Sequence, residues 1–185
     1  MVGFEVARAL GITLDVIITK KIGAPDNPEL AIGAVAEDGT LILDNELARR
    51  LQVSKEYIRE EVERQKVEIK RRLVRYRGDV PYPDIANREV ILVDDGVATG
   101  STLKAALALL HKKGAKTLVV AVPVGPPSTI DELKKEAERV VCLYTPEPFY
   151  AIGQFYEDFE QTSDEEVTRL LRLSRQKMHG KETVR

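Results

Sequence analysis

The sequence is poor in the residues that build disulfide frameworks and zinc sites. One of its 185 residues is a cysteine, Cys142, so no internal disulfide can form, and a single thiol fits a reducing compartment. Its two histidines, His111 and His179, have no acidic or cysteine partners at the spacing of zinc ligands. These absences argue against a disulfide-stapled fold, a zinc enzyme and a serine–histidine–aspartate hydrolase.

Signals for membranes and for secretion are also missing. No apolar run reaches the roughly 18 residues of a membrane helix, and the first residues lack the layout of a signal peptide. Lys and Arg number 28 against 30 Asp and Glu, and this net charge of −2 provides no large field for nucleic acid or an anionic membrane. We therefore expect one globular, cytoplasmic domain spanning residues 1–185.

Strand-like and helix-like stretches alternate along the chain. Continuous apolar runs are typical of strands buried on both faces, which predicts an α/β fold with a doubly wound, mostly parallel sheet. The predicted strands are Leu14–Thr19, Leu30–Ala36, Thr40–Leu43, Glu89–Val93, Thr117–Val122 and Arg139–Tyr144. The predicted helices are Phe4–Leu10, Ser54–Arg77, Thr102–Lys113, and two that begin at Ser128 and Ser163.

Two regions interrupt this alternation. Residues 44–88 predict a helical insertion followed by a flexible loop; the second half of the helix is basic, and its apolar seam could pair two chains. Residues 145–185 predict a small region made of an aromatic segment and a helix. A doubly wound domain usually opens with a strand, whereas this chain opens with a helix, so we expect a first strand and its loop to lie upstream.

The segment Val90–Thr102 carries the strongest chemical signal. A buried strand ends at Asp94 and Asp95, a loop with two glycines follows, and a helix begins at once. The free N–H groups of a helix N-terminus attract phosphate, and ligands of open α/β sheets bind beyond the carboxyl ends of the strands. Two carboxylates beside a phosphate would repel it unless they bind hydroxyl groups or a metal ion, and a sugar phosphate offers such hydroxyls.

Other phosphate-binding motifs do not match this segment. Ser101 replaces the lysine of the Walker motif, and the G-x-G-x-x-G pattern of dinucleotide-binding loops is absent.

The run V-I-L-V-D-D-G-V-A-T-G-S-T resembles the 5-phosphoribosyl-1-pyrophosphate (PRPP) signature of the type I phosphoribosyltransferases. It is similar at the apolar strand, at both aspartates, at Ala98-Thr99-Gly100 and at Thr102. Gly96 departs from the signature, which usually has a larger apolar residue there. The order of elements also resembles an uncharacterised branch of the family, known only as predicted phosphoribosyltransferases.

The resemblance implies an enzyme that transfers the phosphoribosyl group of Mg²⁺-bound PRPP to a nitrogen acceptor and releases pyrophosphate. Asp94 and Asp95 would be the catalytic pair, holding the ribose hydroxyls beside a developing cation, with Mg²⁺ bound through PRPP. Ala98 replaces the aspartate base of the 6-oxopurine branch, as in the adenine and orotate branches. The implied PRPP-binding residues are Gly96, Val97, Ala98, Thr99, Gly100, Ser101 and Thr102, with Lys20 and Lys21 toward the diphosphate.

The resemblance also implies roles for three less specific regions. A pyrophosphate loop would follow the upstream strand, the loop Gly78–Asn87 would close over the reactants, and aromatic residues in Tyr144–Tyr150 and Phe155–Phe159 would stack on the acceptor. Two alternatives remain open: a PRPP- or nucleotide-sensing regulator without turnover, with the basic helix as a nucleic-acid surface, and a scaffold that pairs through the helix seam. A homodimer is expected under each.

Overall fold

The computed structural model describes residues 1–182, with the side chains of residues 1–176. In this part of the chain no helix is long and apolar enough to cross a membrane. The side chain of His179 lies outside the described residues. The helices are α1 (Val2–Leu10), α2 (Asn45–Arg50), α3 (Lys55–Arg77), α4 (Ser101–Lys112), α5 (Pro127–Leu133) and α6 (Asp164–Glu182). The strands are β1 (Thr19–Ala24), β2 (Asn27–Ala36), β3 (Leu41–Leu43), β4 (Glu89–Val93), β5 (Thr117–Val124) and β6 (Arg139–Tyr144).

The six strands form two three-stranded sheets. Strands β4, β5 and β6 are parallel, whereas β1, β2 and β3 are antiparallel, so the predicted α/β class is confirmed but only half of the strands are parallel. The reason is the length of the connections. Only two residues join β1 to β2, and a connection that short permits antiparallel pairing alone. The turn predicted at Asp38-Gly39 joins β2 to β3.

The strand predicted at Leu14–Thr19 is misplaced. Residues 14–18 lie outside any strand, and β1 begins at Thr19. Lys20 and Lys21 therefore lie inside a strand rather than after one. The apolar run does reach the interior, because Ile18 is buried, but no strand among the described residues pairs with it.

Helix α4, which begins directly after Gly100, packs between the two sheets. Ala105 and Leu109 contact the small residues Ala34 and Ala36 of β2. Three of its other buried residues, Leu103, Leu107 and Leu110, belong to the core of the parallel sheet with Leu118, Val120 and Val122. Contacts on two sides hold this helix in place.

The seam of α3 is used inside the chain. Val62, Ile69 and Tyr76 are buried and belong to one core cluster with Ile22 of β1 and Leu171 of α6. The expectation that this seam pairs two chains is therefore wrong, because the antiparallel sheet and α6 already cover it. The helix begins as predicted, with the Ser54 hydroxyl accepting a hydrogen bond from the Tyr57 N–H at 3.1 Å.

The loop that follows α3 lies away from the phosphate-loop segment. The Tyr82 ring is held between Arg77 and Lys113, with 4.1 and 3.9 Å from their charged groups to the ring centroid. Lys113 follows the last turn of α4, and a 12-residue helix is about 18 Å long. Because the loop joins the start of β4, it lies at the opposite end of that strand from Asp94. It therefore does not cover the acid pair in this structure, whereas the resemblance implied that it would.

Candidate active site

The turn of residues 94–100 connects the end of β4 to the start of α4, and hydrogen bonds to neighbouring elements anchor it. The Val97 N–H donates to the carbonyl of Val124, the last residue of β5, at 2.9 Å. The Thr129 hydroxyl, on α5, donates to the Ala98 carbonyl at 2.6 Å. The turn is therefore held at the carboxyl edge of the parallel sheet, where ligands of α/β folds bind.

Gly100 has a backbone that only glycine adopts easily. Its φ is 77°, and a Cβ at this position would lie 3.0 Å from Thr129 Cγ2. Gly100 is also the N-cap of α4, so no side chain caps the first amides of the helix. These N–H groups have no partner within the helix and remain available to an anion.

Hydroxyl groups surround the start of α4. The Oγ atoms of Thr99 and Ser101 are 3.2 Å apart on the exposed side of the turn. Together with the backbone amides they form a set of hydrogen-bond donors suited to a phosphate group. The structure thus brings together the loop residues predicted for phosphate binding, from Gly96 to Thr102.

The two aspartates lie side by side at the end of β4. The Asp95 N–H donates to Asp94 Oδ1 at 3.0 Å. Burial, and next the neighbouring Asp95 charge, raise the pKa of Asp94 to about 7. The repulsion between two such carboxylates is reduced by groups that donate hydrogen bonds or carry positive charge. Ribose hydroxyls would supply the hydrogen bonds, and a metal-bound substrate would supply the positive charge.

Four residues that contact or approach the turn were not recognised from the sequence in these roles. Thr129 binds Ala98, as described above; Tyr156 donates its hydroxyl to the Asp95 carbonyl at 2.5 Å. Ile152 packs on Gly96, where a Cβ would lie 2.7 Å from Ile152 Cγ2. Lys104 pairs with Glu132 at 2.5 Å, and its Cε lies 3.7 Å from the position of a Cβ on Gly100. Only the aromatic content around Tyr156 offered a sequence signal.

The two lysines predicted to reach the diphosphate have other described contacts. Lys21 forms an ion pair with Glu29 at 2.6 Å on the β1–β2 hairpin. Lys20 lies among the charges of α3, where burial and next Arg72 lower its pKa. These contacts tie both side chains to the antiparallel sheet and α3 rather than to the acid pair, so their role in PRPP binding stays a prediction.

The basic half of α3 is largely neutralised by carboxylates. Arg71 and Arg72 both pair with Glu68 at 2.8 Å, and Arg75 pairs with Asp164 at 3.0 Å. Arg77 is buried and pairs with Asp15 at 2.7 Å. This pairing lowers the positive potential of the helix face on which the nucleic-acid alternative depended.

A cavity of about 850 Å³ opens beside β4. Its lining includes residues 13–19, residues 88–94 and parts of α1 and α4. β4 pairs with β5 along one edge only, and no strand among the described residues pairs with its second edge. The cavity reaches Asp94 and Thr102, so this unpaired edge leads directly to the candidate site.

Comparisons with known proteins agree on one family. The family described as "Phosphoribosyl transferase domain" matches residues 1–160. A Mycobacterium tuberculosis H37Rv protein, provisionally named a phosphoribosyl transferase, is 41% identical over 170 residues, which cover 92% of this chain and 38% of that protein. The crystal structure of TT1426 from Thermus thermophilus superposes with a TM-score of 0.72 at 43% identity, covering 91% of this chain and 79% of that one.

A third relative matches over a shorter stretch. The uracil phosphoribosyltransferase of Clostridium beijerinckii is 42% identical over 57 residues, or 31% of this chain and 27% of that enzyme. The chain spans 38% of the length of the curated M. tuberculosis relatives that it matches.

Proposed function

We propose, on the premise that this chain belongs to the phosphoribosyl transferase family, that it transfers the 5-phosphoribosyl group of PRPP to a nitrogen acceptor. In the reaction, the bond from C1 of the ribose to the pyrophosphate oxygen breaks, and a bond from C1 to the acceptor nitrogen forms. Pyrophosphate leaves with the bonding electron pair. The observation that carries the proposal is the turn 94–100, which places an acid pair next to an uncapped helix N-terminus.

Different residues of the turn would bind different parts of PRPP. The backbone N–H groups at the start of α4, with the Thr99 and Ser101 hydroxyls, would bind the 5-phosphate. Asp94 and Asp95 would accept hydrogen bonds from the ribose hydroxyls and place negative charge near the cationic transition state. Catalysis would then rest on positioning and preorganised charge, which are large contributions in enzymes.

Mg²⁺ is part of this proposal as a component of the substrate complex. Carboxylate and phosphate oxygens are its preferred ligands. Among the described residues no group of three or more His, Cys, Asp or Glu side chains could hold a metal. The ion would therefore be held mainly by PRPP oxygens, with Asp94 and Asp95 as the carboxylates at hand, and would neutralise the leaving pyrophosphate.

We also propose that the cavity beside β4 accepts the first strand and pyrophosphate loop expected upstream of this segment. The unpaired edge of β4 supports a further parallel strand, since main-chain groups there lack partners in the sheet. Because the cavity reaches Asp94, a loop after that strand would arrive at the acid pair. An upstream-extended chain should protect the β4 amides from hydrogen exchange and gain pyrophosphate affinity; unchanged exchange would contradict the proposal.

An activity assay with a panel of candidate acceptors would identify the acceptor substrate. Pyrophosphate release from PRPP should be measured with Mg²⁺ and a panel of adenine, orotate, uracil, xanthine and small amines, on this chain and on an upstream-extended one. Release that depends on one acceptor would support transfer. PRPP binding without release for any acceptor, combined with salt-sensitive binding of RNA or DNA, would favour the regulator instead.

Two further parts of the proposal concern the cellular context. A cytoplasmic location is consistent with the single cysteine, Cys142, which is a free thiol in the structure. We also propose a homodimer whose interface does not include the apolar seam of α3. Sedimentation or light scattering would test this oligomeric state. The regulator alternative gains no support from the basic helix, because most of its charges are paired within the chain.

A further inference from the structure

The segment of residues 149–159, here called the aromatic strap, folds back onto the end of β6. The Phe149 and Phe155 rings stack with centroids 5.3 Å apart, and Phe155 meets Tyr144 of β6 edge-on at 5.7 Å. Further along, Tyr156 and Phe159 pack with centroids 5.1 Å apart. These ring contacts give the strap a defined position beside the candidate site without strand pairing.

Two contacts bring the strap onto the residues that follow Asp94. The Tyr156 hydroxyl donates to the Asp95 carbonyl oxygen at 2.5 Å. Next to it, Ile152 fills the space that a side chain on Gly96 would need, since a Cβ there would lie 2.7 Å from Ile152 Cγ2. The strap therefore holds the backbone of both residues directly after the first aspartate.

From this geometry we propose that Tyr156 is a positioning residue for ribose binding. By fixing the Asp95 carbonyl, it sets the orientation of the Asp95 main chain and hence the direction of its carboxylate toward the pentose. The inference rests on the proposed function, because it assigns a role toward the same substrate. Tyr156 touches no reacting atom in this assignment and acts through Asp95 alone.

The electrostatic surroundings of Tyr156 agree with a permanent donor. Burial, and next the charges of Asp95 and Asp94, raise its pKa, so the hydroxyl keeps its proton at neutral pH. The protonated hydroxyl is the donor of the hydrogen bond to the Asp95 carbonyl.

The position of Ile152 also accounts for the glycine at residue 96. The PRPP signature usually has a larger apolar residue at this position, and here Ile152 of the strap occupies that volume from outside the turn. Val124 Cγ1, 3.1 Å from the same Cβ position, closes the space on the other side. The strap and the glycine form a matched pair, and changing one without the other should disturb the turn.

The first test compares two probes on Tyr156→Phe, which removes the hydroxyl and keeps the ring. Calorimetry should show about a five-fold weaker affinity for ribose 5-phosphate, as expected for one lost hydrogen bond, and an affinity for inorganic phosphate within about two-fold of wild type. Tyr57→Phe is the control, since it removes a similar hydroxyl-to-carbonyl bond, to Gly23 at 3.0 Å, in the other sheet. Equal losses for both probes, or no loss for ribose 5-phosphate, would overturn the inference.

The second test uses the contact between the strap and the turn. Gly96→Ala should weaken ribose 5-phosphate binding, and adding Ile152→Ala should restore most of it because the smaller side chain makes room for the new methyl group. A double variant no better than Gly96→Ala would contradict the matched pair. Wild-type protein that binds neither probe would overturn the proposed function and the inference together, whereas wild-type binding with unaltered Tyr156→Phe affinity would overturn the inference alone.

Discussion

The hydroxyl of Thr129 donates a hydrogen bond to the carbonyl oxygen of Ala98 across 2.6 Å. The two residues are 31 positions apart, and the bond joins α5 to the turn that precedes α4. Thr129 is buried, while Ala98 lies on the exposed turn. The shape of the turn of residues 94–100 therefore depends on a neighbouring α/β unit as well as on its own glycines.

Thr129→Val should loosen this turn while keeping the shape of the side chain. Losing one hydrogen bond lowers stability by about 1 kcal/mol, and phosphate affinity should fall with it. Thr168→Val is a matched control, because it removes a hydroxyl bond to the Asp164 carbonyl at 2.9 Å in α6, away from the turn. Titration with inorganic phosphate would check the prediction, and equal phosphate affinities in the two variants would contradict it.

Replacing both acids, as Asp94→Asn with Asp95→Asn, should abolish ribose 5-phosphate binding and leave the fold intact. The reason is that the pair accepts the pentose hydroxyls in the proposed complex, whereas its mutual repulsion does not stabilise the folded state. Circular dichroism and calorimetry would test both halves. Asp131→Asn, on the exposed side of α5, serves as the control; undiminished ribose 5-phosphate affinity in the double variant would show that the site is misassigned.

Gly100→Val should block the anion site and strain the backbone. Its φ of 77° disfavours any side chain, and the added atoms would meet Thr129 Cγ2. Gly78→Val separates the two effects, because Gly78 also has a positive φ, 56°, but a Cβ there meets nothing within 4 Å. Both variants should lose unfolding free energy, with about 1–2 kcal/mol from the left-handed backbone of Gly100 alone, and only the first should lose phosphate binding. Unaltered phosphate affinity in Gly100→Val would contradict the proposed phosphate site at the start of α4.

Asp94 should make the unliganded protein less stable as pH rises. The pKa of Asp94 in the folded protein, about 7, lies above the ordinary value of about 4. The contribution of Asp94 to the free energy of unfolding is therefore fully present below about pH 4 and is lost as pH rises through about 7. Asp94→Asn should therefore be more stable than wild type at pH 8, by about 2–4 kcal/mol, and similar to it near pH 4. Urea unfolding at the two pH values would measure the difference; a gap that does not change with pH would argue against the shift.

Substitutions of Lys104 and of Glu132 should change the affinity for inorganic phosphate in opposite directions. Their ion pair holds the Lys104 ammonium beside the start of α4, where a bound phosphate would compete for it. Glu132→Gln should release the lysine and tighten inorganic phosphate binding by about two- to five-fold, whereas Lys104→Gln should weaken it by a similar factor. The double variant should behave like Lys104→Gln. Weaker binding in Glu132→Gln would show that the pair is merely structural.

The sequence alone predicted the strand and the turn of the candidate site because that information is local. The strand Glu89–Val93, the aspartates and the glycine-containing turn are contiguous, and the predicted strand has the observed bounds. The start of α3 was likewise predicted within one residue, since Ser54 caps its own neighbours in the chain, whereas α4 begins at Ser101, one residue before the predicted Thr102. Strand Leu14–Thr19 failed for the opposite reason, because an apolar run becomes a strand only when a partner strand lies beside it.

Contacts between distant parts of the chain followed only from the tertiary structure. No pattern linked Ile152 to Gly96 or Tyr156 to Asp95, yet these contacts hold the turn at the acid pair. The burial of the α3 seam and the placement of Tyr82 at the far end of α4 were likewise decided by packing. Local backbone and helix-end chemistry can be read from neighbouring residues, whereas side-chain contacts across dozens of positions depend on how the two sheets and their helices come together.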